Sequence, residues 1–142
     1  MESLTMDMMY KGLAKGMSRE SKSGGDMVAE IIAIMFMSRT YAHMAHLKTG
    51  SYAAHKALNE FYDDVLDEAD TLAEAAQGQY GKLDIGYMPM KGEVTDPVKG
   101  LSQHLDMIKE ASANCDEDYL ENIIQEIEKL YRSTIYKLKE LS

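Results

Sequence analysis

Four histidines occur in the chain, His43, His46, His55 and His104, and the first three bracket one glycine. His46 lies four residues before Gly50 and His55 lies five residues after it. If Gly50 ends one helix and a second begins at once, the short connection makes an antiparallel hairpin, and positions 46 and 55 fall at one level. Two imidazoles within reach of one another suit a transition metal. His43 stands about one turn deeper, near the level of Asn59. The same residues also read as histidines that happen to flank a turn. Further along, Asp70 and Glu74 form an i, i+4 carboxylate pair on one helical face, and such a pair can hold iron. They stand among Asp63, Asp64, Asp67 and Glu68, so a solvated acidic face is the competing reading. His104 has no evident partner and is assigned no role.

Helix geometry constrains how these groups combine. Fifteen residues separate His55 from Asp70, about 22 Å along a helix. The two cannot bind the same ion within one chain. If both are ligands, the metal lies between subunits, with two antiparallel copies of this helix related by a two-fold axis. No glutamate lies three residues before any histidine, so the Glu-x-x-His pairs of an intrasubunit di-iron centre are absent.

The elements that would position these residues are helices. The chain has 142 residues and two prolines, Pro89 and Pro97, which leaves two long proline-free blocks. Residues 1–25 read as a leading arm, with Met6, Met9, Leu13 and Met17 at helical spacing and a breaker at Ser23-Gly24-Gly25. Asp26 is expected to cap a helix over about 27–48. That helix is apolar nearly all round at its start, so it must be covered on more than one side, by another subunit or by the arm. Ser51 can cap a helix over about 52–77. A glycine-rich stretch, 78–95, reads as a long crossover, and Asp96-Pro97 opens a third helix. A break at Asn114-Cys115-Asp116 precedes a fourth. The expected fold is all-α: a ferritin-like four-helix bundle over 26–142, with a long crossover between its second and third helices and an extra N-terminal helical arm.

Composition narrows the partners. The formal net charge is −9, which disfavours phosphate backbones and anionic membranes, so nucleic acid is an unfavourable partner. The most apolar stretch, 27–37, is far short of the roughly 20 residues that span a bilayer. One cysteine, Cys115, cannot form an internal disulfide and fits a reducing compartment. With no secretory leader evident, a cytoplasmic location is expected. Twelve methionines read as flexible core filling.

The segment from Ala45-His46 through Gly50, Tyr52, His55, Asn59 and Tyr62 to Asp70 and Glu74 resembles the signature of Dps-type miniferritins. The stretch from Tyr119 to Tyr131 is similar as well. The resemblance covers about residues 26–141. It implies a homo-oligomer, a hollow dodecamer, that oxidises ferrous iron with peroxide and stores the ferric mineral. It further implies metal sites at two-fold interfaces, with His46 or His43, His55 and Asn59 from one subunit and Asp70 and Glu74 from the other. Position 59 is Asn where that family has a carboxylate, the turn is shorter, and Leu47 stands in place of a tryptophan. Asn59, the shortened turn and the extra N-terminal arm favour a second expectation: a catalytically inactive bundle that serves as a structural or assembly protein, for example in a phage particle.

Overall fold

The computed structural model describes residues 23–90 and 94–142, and all of their regular structure is helical. The helices are α1 (Gly24–Lys48), α2 (Tyr52–Tyr80), α3 (Pro97–Ala111) and α4 (Asp118–Glu140). Most of the expected arm, residues 1–22, lies outside the described residues.

The start of α1 differs from expectation. Ser23, not Asp26, is the N-cap, and its hydroxyl accepts the Asp26 amide at 3.0 Å. Gly24 and Gly25 therefore belong to the first turn instead of breaking the chain. A β-carbon on Gly24 would fall on the Tyr80 hydroxyl, and one on Gly25 would touch Leu83. The glycines let the end of α2 close over the start of α1.

Ser51 caps α2 as expected, accepting the Ala54 amide at 3.2 Å, and Asp96 caps α3 through the Lys99 amide at 3.1 Å with Pro97 in the first turn. α2 runs through Gly78 and stops at Gly81, whose φ of 80° suits glycine. Gly78 sits in open space, so Gly78→Ala should raise stability by about 0.5–1 kcal/mol through helix propensity alone. Urea denaturation with an unchanged m-value would check this.

Each helix packs on two others: α1 on α2 and α3, and α4 on α2 and α3. Cross-helix contacts fix the directions. Lys137 meets Glu60 and Tyr119 meets Gln79, so α2 and α4 are antiparallel. Ser38 meets His104 and Tyr41 reaches Asp96, so α1 and α3 are antiparallel too. The parallel pair α2 and α3 then requires a lengthwise connection. The crossover runs from Leu83, beside Gly25, to Asp96, whose carbonyl accepts the Tyr41 hydroxyl. Its described residues thus meet α1 near both ends and place Met88 and Val94 in the buried core. Residues 27–35 of α1 are all buried, and among the described residues this segment adds to the cover that α2 and α3 provide. The core itself is built on Phe61, Ile31, Ile32, Leu72, Ile108, Ile124 and Tyr131.

Candidate functional site

The hairpin brings His46 and His55 together, as its short turn requires. Their rings stack with centroids 3.6 Å apart and planes 18° from parallel. Each ring also reaches across to the other's backbone. His46 Nδ1 donates to the His55 carbonyl at 2.7 Å, and His55 Nδ1 donates to the His46 carbonyl at 2.9 Å. A carbonyl can only accept, so both Nδ1 atoms carry the hydrogen, and the neutral rings share one tautomer. The clasp satisfies a carbonyl in the last turn of α1, which a helix end otherwise leaves without an intrahelical partner.

The same geometry limits metal chemistry. A lone pair on imidazole lies in the ring plane. Two nearly parallel rings 3.6 Å apart cannot aim their Nε2 lone pairs at a common point within ligand distance. One ion cannot sit in both planes while this stack persists.

His43 does not join the pair as a third convergent ring. It stacks on Tyr62, with centroids 4.3 Å apart, and lies 5.9 Å from the His46 ring. Asn59 is engaged on its own helix: it accepts the Tyr62 hydroxyl at 2.6 Å and donates to Asp63 at 3.3 Å. Asp70 and Glu74 are exposed on α2, toward the end remote from His55. Among the described residues, no three His, Cys, Asp or Glu side chains are grouped to hold a metal ion. The acidic surface does show electrostatic crowding. Burial first, then Glu126, Asp64 and Asp67, raise the pKa of Glu68 above the usual carboxylate value.

A second polar group lies where the sequence offered no role. His104 is buried and shares a 2.8 Å hydrogen bond between Nδ1 and the Ser38 hydroxyl. The Tyr41 ring meets it edge-on at 5.1 Å. Burial alone pushes its pKa down to about 4. It shares the inward face of α3 with Leu101, Leu105 and Ile108, and its three- and four-residue steps from Leu101 and to Ile108 are the signal that could have placed it there. Its partner stands 66 residues away, beyond the reach of any local pattern. Tyr131 of α4 is wholly buried beside Ser38, and burial raises its pKa well above the ordinary phenol range.

Comparison with known proteins places these observations. No solved structure matches the chain. Of its relatives, an uncharacterized 14.6 kDa protein from the mobD-ri intergenic region of Enterobacteria phage T4 is 31% identical over 88 residues, covering 61% of this chain and 69% of the relative. A family model described as a family of unknown function matches residues 46–138, from the last turn of α1 through most of α4. This corrects the likeness to Dps-type miniferritins. The histidine, aspartate and glutamate spacing that suggested it arises from a clasped hairpin followed by an acidic helix face. The match covers most of the chain, which therefore belongs to the family of unknown function DUF5856.

Proposed function

We propose that this protein is a non-enzymatic helical bundle that serves a phage-type system as a structural or assembly component. The observation that carries the reading is the use already made of the residues best suited to chemistry. His46 and His55 spend one ring nitrogen each on the hairpin, and their stack prevents joint coordination. Asn59 and Tyr62 bond to one another, and Asp70 and Glu74 face solvent. The phage T4 relative supports the setting. Apolar side chains left outside suit contacts with other proteins: Leu47, Tyr52, Tyr87 and Leu141 are each more than half exposed.

Light scattering coupled to size exclusion, metal analysis of the purified protein, and ferrous oxidation assays together test the proposal. The expected result is one discrete species with no stoichiometric metal and no acceleration of ferrous oxidation over buffer. Stoichiometric iron with accelerated oxidation would overturn it.

A further inference from the structure

We propose that α3 is an acid-released latch: a proton from solvent, taken up at His104 Nε2, drives this helix out of the bundle while α2 and α4 stay packed. The geometry carries this. In the neutral ring, Nδ1 shares one hydrogen bond with Ser38, as donor or as acceptor. Once protonated, both ring nitrogens are donors. Nδ1 then donates to Ser38 Oγ, and Nε2–H needs an acceptor at a buried ring that the Tyr41 ring meets edge-on.

Among the described residues, no charged group acts on the His104 ring. On α3, the neighbours one turn either side of His104 are Gly100, Leu101 and Ile108. On α1 the facing groups are Ser38 and Tyr41, with Arg39 adjacent in sequence and Glu30 eight residues away, about 12 Å along the helix. On α4 the buried titratable side chain is Tyr131, a neutral phenol. In the crossover, the Asp96 carboxylate is held by the Lys99 amide. Among the described residues, burial is the one cause acting on His104.

The release is local because of how α3 is mounted. It is the shortest of the four helices at 15 residues, packs on α1 and α4 but not α2, and has non-helical connections on both sides. The direct pairing of α2 with α4, through Phe61 and Tyr131 and through Glu60 and Lys137, does not involve it.

Amide hydrogen exchange at pH 8 and pH 5, each corrected for chemical exchange in the unfolded chain, tests the latch. A pKa of about 4 in the bundle against 6.5 outside it should raise the opening constant of α3 about thirty-fold at pH 5. Amides in the middle of α2 should change far less. His104→Gln should abolish the acid response of α3. Loss of α2 and α3 protection together would overturn the proposal. So would full protection of α3 at pH 5, or an undiminished response in folded His104→Gln. If that variant does not fold, the comparison of α3 with α2 in the unaltered protein decides by itself.

Discussion

Gly100→Ala should destabilise the protein by about 3 kcal/mol, a large effect for one added methyl group. A β-carbon at Gly100 would overlap the Tyr41 hydroxyl oxygen and the ring carbon that bears it. Tyr41 cannot step aside cheaply. It is buried, donates to the Asp96 carbonyl at 2.8 Å, and packs edge-on against His104. Alanine must displace the ring, break that bond or push α3 outward, and only about 1 kcal/mol of helix propensity offsets the damage. Guanidinium unfolding should show a lower midpoint with the slope unchanged. The cause is separable. In a Tyr41→Val background the added methyl has room, so Gly100→Ala should become nearly neutral, giving a coupling of about 2–3 kcal/mol. An undiminished loss in the double variant would show that the glycine acts by something other than space. Gly24 offers the contrast. Its β-carbon would also meet a tyrosine hydroxyl, but that of Tyr80, which is 36% exposed and free to swing outward.

Tyr131 should divide sharply between its ring and its hydroxyl. The ring is wholly buried and meets Phe61 edge-to-face at 4.9 Å, joining α4 to α2. Tyr131→Ala should therefore cost about 3–5 kcal/mol, since a cavity of aromatic size opens at the centre of the bundle. The hydroxyl has no hydrogen-bond partner of good geometry; Ser38 lies beside it but is already bonded to His104. Tyr131→Phe should stay within about 1 kcal/mol of the unaltered protein, because it removes a buried polar atom that gains little. Thermal and chemical unfolding of the two variants side by side would measure the split. A large loss in the phenylalanine variant would mean that Ser38 bonds both neighbours in solution.

The helical frame was legible because its signals are local. Apolar residues recur at three- and four-residue steps, Ser51 and Asp96 stand where caps belong, and Gly50 closes a hairpin. The beginning of α1 was not. Two consecutive glycines suggest a break, yet Ser23 can cap them, and packing against Tyr80 and Leu83 keeps them helical. The meeting of His46 with His55 followed from counting residues across the turn. What the rings do there depends on whether Nδ1 finds a carbonyl, and spacing carries no information on ring orientation. For Asp70 and Glu74, spacing alone does not separate a ligand pair from a solvated face. A pair of carboxylates one turn apart is the ordinary pattern of an exposed helix face, and here both are exposed. His104 drew no role from the sequence, because its meaning depends on Ser38, brought to it only by the fold.

The histidine clasp turns the α1–α2 hairpin into a gauge of chain length. One residue inserted between Thr49 and Ser51 would rotate one helix about 100° relative to the other and part both imidazole–carbonyl bonds together. Among the described residues between Gly81 and Asp96 there is no such gauge, and lengthening a loop costs little free energy. Variation in length among relatives should therefore collect along that outer segment and spare the hairpin.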